Sequence, residues 1–292
     1  MSSSSPQQAA WLPKLVIAPS FVLSLLFIYG LMAWNGYLSM SASRILPNYD
    51  FVGLQHYGAL LDSDRFRVAM TNMAVFGFCF IGGAMALGVL LAILLDQKVR
   101  GEGVLRTIYL YPMAISFIVT GTAWKWILNP GLGLQHLMHS WGFTDFQFEW
   151  LVDQDMAIYC VVIAGVWQSA GFVMALFLAA LRGIDDSIIK AAQVDGASLP
   201  RIYWRIILPS LGPVFFSTLM VVSHLAIKSF DLVMALTAGG PGYATDLPAT
   251  FMYATAFTRG QIGVGAASAT VMLATVAAIV VPYLYSELRG KR

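Results

Sequence analysis

The sequence predicts an all-α polytopic membrane protein with six transmembrane helices and both termini in the cytoplasm. Three observations predict it. Of the 292 residues, 58% are hydrophobic and 11% charged, and the mean hydropathy is +0.72, so there is too little charge to cover a water-soluble surface of that length. Six runs are long and apolar enough to cross about 30 Å of hydrocarbon as helices. Lys and Arg are sorted by side between those runs. The runs are continuously apolar and do not alternate, which excludes a β-barrel.

The first run, about 14–38, follows a polar start, MSSSSPQQ, that is expected to be disordered, leaving residues 1–13 as a cytoplasmic N-terminus. The run is too long for the apolar part of a signal peptide, has no basic stretch immediately before it and shows no small-x-small cleavage site, so it reads as a retained helix. The other runs lie at about 69–95, 104–128, 156–181, 210–236 and 264–285. Residues 14–286 thus form one transmembrane domain, followed by a short cytoplasmic tail at 287–292. The longest connections, about thirty residues, fall below the size of an independent soluble domain, and no repeat of fixed period is present. Cys79 and Cys160 lie inside apolar runs, where they read as small packing side chains and carry no information on redox compartment.

Orientation follows from the basic residues. With the N-terminus cytoplasmic, the inner segments hold eleven: Lys14, Lys98, Arg100, Arg106, Arg182, Lys190, Arg201, Arg205, Arg289, Lys291 and Arg292. Four lie outside, Arg44, Arg65, Arg67 and Arg259, while Lys125 and Lys228 fall within spans and complete the seventeen. This bias selects both termini inside. The third-to-fourth connection carries Asp145, Glu149, Asp153 and Asp155 with no Lys or Arg, as suits the outer side. A net charge of +2 is too small to imply a nucleic-acid partner; the surroundings are membrane lipid.

Between the fourth and fifth runs stands a mostly soluble stretch. Asp185 and Asp186 are good N-cap residues and Gly196 is a good helix stop, so GIDDSIIKAAQVDGAS predicts a short amphipathic cytoplasmic helix. Pro200 then starts a second helical turn, with Arg201 and Arg205 on one face at i,i+4. Composition alone fits an interfacial helix resting on lipid head groups. The spacing points elsewhere. The stretch reads x-A-A-x-x-x-G, nine residues, then I-x-L-P: Ala191, Ala192, Gly196, Ile206, Leu208 and Pro209.

That pattern resembles the EAA loop of binding-protein-dependent ABC importer permeases, whose short helix docks in a groove on the ATPase subunit. Four further stretches resemble the carbohydrate branch of that family, the maltose and glycerol-3-phosphate type: FVGLQHY (Phe51 to Tyr57), GEGVLRTIYLYP (Gly101 to Pro112), VWQSAGFVMALFLAAL (Val166 to Leu181) and FDLVMALTAGGPGYAT (Phe230 to Thr245). Taken in order, the resemblance covers about residues 12–286. It implies a multi-pass subunit of the bacterial inner (plasma) membrane that forms half of the translocation pathway of an ATP-driven sugar importer. It further implies a homologous second permease, an ATPase dimer and an extracytoplasmic sugar-binding protein as partners. The chain itself would catalyse nothing and hold no cofactor, ATP and Mg being bound by the partner ATPase. Its lack of a G-x-x-x-x-G-K-[ST] phosphate loop agrees with that division. The implied ATPase-coupling residues are Lys190, Ala191, Ala192, Asp195, Gly196 and Ala197, in a loop at about 183–209. One position departs from the pattern, since the family usually has Glu where Lys190 stands.

A docked helix that is displaced moves the spans it joins as units. A site with alternating access is therefore expected on the fourth and fifth spans, near the bilayer midplane. In the fourth, Trp167, Gln168, Ser169 and Phe172 supply aromatic faces, an amide and a hydroxyl, the groups that a neutral polyol needs. The resemblance aligns Gln168, Ser169, Phe172 and the stretch around Ser229 with the sugar-contacting helices of maltose-type permeases; ordinary helix packing is the alternative. In the fifth, Lys228 and Asp231 either pair at i,i+3 or line an aqueous path, because ionisable groups inside a span are costly against lipid. A secondary transporter using those two for ion coupling is the rival reading. A membrane enzyme is not supported, since no HExxH, nucleophile elbow or clustered His and carboxylate set occurs. Asn35 and Asn72 read as interhelical hydrogen-bonding residues, GQIGVG (Gly260 to Gly265) as a close helix approach, and GGPG (Gly239 to Gly242) as a turn at the outer mouth where a binding protein could press.

Overall fold

The computed structural model describes residues 6–97 and 99–290. Helix α1 runs as Pro6–Ser24, a π turn at Leu25–Tyr29 and Gly30–Ser39; then follow α2 (Gln55–Asp62), α3 (Asp64–Asp96), α4 (Glu102–Ala114), α5 (Phe117–Ile127), α6 (Leu134–Ser140), α7 (Ala157–Leu181) and α8 (Asp186–Val194). Helix α9 spans Leu199–Ser210 with a π turn at Tyr203–Ile207, and is followed by α10 (Gly212–Ile227), α11 (Asp231–Leu236), α12 (Pro248–Tyr253 with a π turn at Ala254–Thr258) and α13 (Ile262–Gly290). Among the described residues the only β pairing is one isolated bridge between Ser41 and Phe51.

Four helices are long and apolar enough to cross a membrane as single spans, at Lys14–Ser39, Asp64–Asp96, Ala157–Leu181 and Ile262–Tyr283, close to the expected limits. The other two expected spans are not straight. The third is split into α4 and α5, inclined at 102°, and the fifth is preceded by α9 at 70° to α10. The third breaks where Pro112, which has no N–H to donate, precedes an extended Ile115 (φ −88°, ψ 142°). Ser116 then restarts the helix as an N-cap, accepting from the Val119 N–H at 3.4 Å. The fifth span, expected at 210–236, also stops at Ile227 and resumes at Asp231. Of the N-terminal stretch expected to be disordered, residues 1–5 lie outside the described residues and 6–13 belong to α1; Lys98, Lys291 and Arg292 also lie outside them.

The chain divides into two compact units. In the one formed by residues up to 62 and 252–271, Asn35 Nδ2 on α1 donates to the Ala266 carbonyl and to Thr270 Oγ1 on α13, at 3.1 and 3.0 Å. That is the interhelical role expected of it. The GQIGVG run is the expected close approach: a Cβ on Gly263 would stand 2.5 Å from His56 Nε2 and 2.7 Å from the Ser41 carbonyl oxygen. Along α1, side chains such as Leu15, Val16, Phe21 and Leu26 are exposed, as befits a helix in contact with lipid or another subunit.

In the unit formed by 63–251 and 272–292, the core lies between α3 and α7, with Phe76 and Phe80 stacked 5.2 Å apart and Val173, Met174 and Phe177 fully buried. Lipid is as apolar as a Leu side chain, so these helices associate through close packing rather than hydrophobic exclusion. Small residues make it possible. A Cβ on Gly171 would fall 2.0 Å from the Tyr109 carbonyl oxygen, which fixes α7 directly against the backbone of α4.

Candidate functional site

Three elements meet beside the two interruptions. α5 approaches α11 at Gly121, whose Cβ would contact Ala235 and the Leu232 carbonyl; α7 approaches α11 at Gly165, near Leu232; and Trp124 of α5 meets Trp167 of α7 edge-on at 5.8 Å. Interrupted backbone at membrane depth is tolerated where other protein groups or an aqueous cavity satisfy it. Gln168 does so here. Its Nε2 donates to the Ile115 carbonyl at 2.6 Å, sealing the end of α4 at the break, while its Oε1 is buried without a hydrogen-bond partner among the described residues. Gln168 and Ser169 are each 4% exposed, and Phe172 is half-buried against the core. An open acceptor on a buried amide carries a desolvation cost that an incoming hydroxyl donor would relieve.

The break in the fifth span brings a different set together. Ser229 is buried and returns its hydroxyl to the Leu225 carbonyl at 2.9 Å, closing the end of α10. Lys228 caps the C-terminus of α10, where the negative end of the helix dipole favours a cation, and Asp231 opens α11, where the positive end favours an anion. Both side chains are exposed, as is His224 one turn before Lys228. The i,i+3 ion pair does not form: among the described residues neither Lys228 nor Asp231 has a salt bridge. A cavity of about 960 Å³ bounded by α3, α7, α9 and α10 is lined by Met85, Val89, Ile93, Phe177, Trp204 and Phe215, and none of the six expected pathway residues lines it. Its apolar walls offer a polyol few partners.

The segment joining the fourth and fifth spans has the expected form. Asp185 caps α8 by accepting from the Ser187 N–H at 2.8 Å, and that bond holds its carboxyl below the usual range. The C-terminus is closed by the Gly196 N–H to the Gln193 carbonyl and the Ala197 N–H to the Ala192 carbonyl, both 3.0 Å, with Gly196 at φ +80°. Ala192 and Ile189 face the chain's own core, whereas Ile188, Ala191 and Val194 form an exposed apolar stripe at i,i+3,i+6, with Lys190 and Asp195 also exposed. Beyond α8, Tyr203 of α9 donates its hydroxyl to Asp96 Oδ2 at 2.6 Å and accepts from Gln97 Nε2 at 2.7 Å, tying α9 to the end of α3. Arg182, closing α7, reaches Glu102 of α4 at 2.5 Å.

One cluster escaped the sequence. Arg65 and Asp246, 181 positions apart, form a buried ion pair, and Asn72 holds the loop backbone beside it through the Tyr243 and Asp246 carbonyls at 3.2 and 3.0 Å. Asn72 thus bonds a loop rather than a helix. An acid within the apolar stretch TDLPATF was the available signal.

Comparison with known proteins follows the same architecture. A family profile described as "Binding-protein-dependent transport system inner membrane component" matches residues 84–290. The "Probable ABC transporter permease protein PH1215" of Pyrococcus horikoshii is 37% identical over 279 residues, covering 95% of this chain and 96% of that one. The "Xylose/arabinose import permease protein XacH" of Haloferax volcanii is 36% identical over 273 residues, covering 92% and 86%. A chain of a solved bacterial ABC transporter involved in the import of the acidic polysaccharide alginate superposes with a TM-score of 0.84 at 22% identity, over 97% of this chain and 96% of that one, a likeness of fold.

Proposed function

This chain belongs to the family of binding-protein-dependent transport system inner membrane components, and from that membership we propose that it is one of two permease subunits of an ATP-driven sugar importer, forming half of its translocation pathway. The observation that carries the reading is the exposed set His224, Lys228 and Asp231 at the break of the fifth span. Such groups are too costly to face hydrocarbon. A homologous second permease across that face would enclose them in an aqueous path, with Gln168, Ser169 and Phe172 on α7 contributing polar and aromatic groups to the sugar. A sugar cargo is supported by the likeness to the xylose/arabinose permease.

Energy enters from the cytoplasm. The exposed stripe of Ile188, Ala191 and Val194 on α8 has the chemistry of a helix that docks in an apolar groove, here on an ATPase dimer that binds ATP and Mg; Lys190, Asp195, Gly196 and Ala197 complete that contact. Lys190, in place of the usual Glu, calls for a matching acidic position on the ATPase. On the opposite side, the loop at Gly239 to Gly242 meets an extracytoplasmic sugar-binding protein. Both termini lie in the cytoplasm, and the subunit performs no covalent chemistry.

Cross-linking tests the pairing. In a Cys79→Ser background, Lys228→Cys labelled with a photoactivatable benzophenone maleimide in the assembled complex is expected to cross-link to the second permease on irradiation, whereas Phe78→Cys, on an exposed apolar position of α3, gives no such product. A Lys228→Cys that reacts only with lipid-soluble maleimides and never with a second permease overturns the reading.

A further inference from the structure

We propose that Arg65 and Asp246 are positioning residues that hold the 237–247 loop as a preformed contact for the binding protein; this rests on the transport reading above. Asp246 is 1% exposed and the Arg65 side chain 18%. Arg65 Nε donates to Asp246 Oδ2 at 2.5 Å, and the other carboxylate oxygen accepts from Thr250 Oγ1 at 2.5 Å. The guanidinium carbon also lies 4.5 Å from the centre of the Tyr243 ring and 5.7 Å from that of Phe251. One side chain on the first turn of α3 therefore fixes both ends of the Tyr243–Phe251 segment, and Asn72, two turns on along the same helix, holds the intervening backbone.

The loop is over-determined from within as well. Thr245 Oγ1 meets Thr237 Oγ1 at 2.7 Å and donates to the Gly240 carbonyl at 2.9 Å, while the Thr245 N–H donates to the Gly239 carbonyl at 3.1 Å. Ala238 is held at φ +54°, a left-handed conformation that is unfavourable for a residue with a Cβ and persists only where its surroundings impose it. Stability is a weak reason for such a construction, because a buried ion pair replaced by packed apolar side chains is often no less stable. What the pair supplies is geometry: a planar fork that bonds a carboxylate and supports an aromatic ring together. The exposed products of that geometry are Ala238, Gly242 and Tyr243, at the tip of the loop, with the Tyr243 ring backed by the cation. A rigid, part-exposed Tyr is the kind of residue that anchors protein interfaces at low entropic cost.

The test uses the reconstituted complex of both permeases and the ATPase, titrated with the binding protein loaded with the sugar it retains on purification. Asp246→Asn is expected to raise the half-saturating concentration of binding protein at least tenfold, leaving ATP hydrolysis without binding protein unchanged and recovering the maximal stimulated rate at saturation. Arg65→Lys, which keeps the charge and the fold but loses the fork, shifts it in the same direction by less. Half-saturation within twofold of wild type in both variants, or stimulated and unstimulated rates falling in parallel, overturns the positioning role. A wild-type complex that no binding protein stimulates overturns the transport reading itself and the clamp's role with it.

Discussion

Gly196→Asp is expected to abolish ATP hydrolysis stimulated by sugar-loaded binding protein in the assembled complex, with membrane insertion and assembly of the permease pair intact. Gly196 sits at φ +80° and closes α8 through its own N–H, and nothing lies within 4 Å of where a Cβ would stand. The folded chain has room for the new side chain, and Asp is among the residues that reach the left-handed region most readily. On the docking role proposed for α8, the loss comes from a carboxylate, added beside Asp195, at the edge of the exposed apolar stripe of Ile188, Ala191 and Val194. Gly196→Ala separates strain from charge: it adds about 1 kcal/mol of left-handed strain and no charge, and should lower coupling without abolishing it. Steady-state ATPase measurements read both, and full stimulation in Gly196→Asp removes α8 from the coupling contact.

The Gln168→Ala, Phe172→Ala pair is expected to weaken uptake by about tenfold or more. Each hydrogen bond from a buried amide is worth roughly 1 kcal/mol, more when a partner is left unpaired, and the aromatic face a comparable amount; about 1.4 kcal/mol is a factor of ten. Gln168 carries two such costs, since its Nε2 seals the Ile115 carbonyl at the break of the third span and its Oε1 is the open acceptor beside it. Sugar binding to the separate binding protein should be unchanged, and so should ATP hydrolysis in the absence of sugar, because α8 is untouched. Uptake into vesicles measured against external sugar concentration checks this. Unaltered uptake means that the pair only packs and that the second permease holds the sugar alone.

Much of this was legible in the chain. Four of the six apolar runs became single helices long enough to span, near their expected limits, because uninterrupted apolar segments of that length have few alternatives in a bilayer. α8 could be read to within a residue at its start, where Asp185 and Asp186 were both candidates, and at its Gly196 stop, since such residues cap a helix by local rules that tertiary structure did not override. The break between α4 and α5 was written in Pro112 and Ser116, yet hydropathy averages over a window and hides a bend inside an apolar run. Lys228 and Asp231 have the spacing of a helical pair, but the helix stops between them, so the i,i+3 geometry is never realised. Gln168 stood out as a polar residue in a span, while its partner, a backbone carbonyl on another helix, has no sequence signature. The pairing of Arg65 with Asp246 lay beyond reach for the same reason, although the acid itself stood out in an apolar stretch: 181 positions of chain separate the two and only the fold brings them together.

The most direct test of the central claim is uptake of the radiolabelled sugar retained by the binding protein into proteoliposomes holding both permeases and the ATPase, at constant ATP, with and without an uncoupler that dissipates the proton gradient. The account predicts uptake that requires ATP and binding protein and is unchanged by the uncoupler. Uptake that collapses with the gradient while ATP is held constant would contradict it and would give Lys228 and Asp231 the ion-coupling role of a secondary transporter.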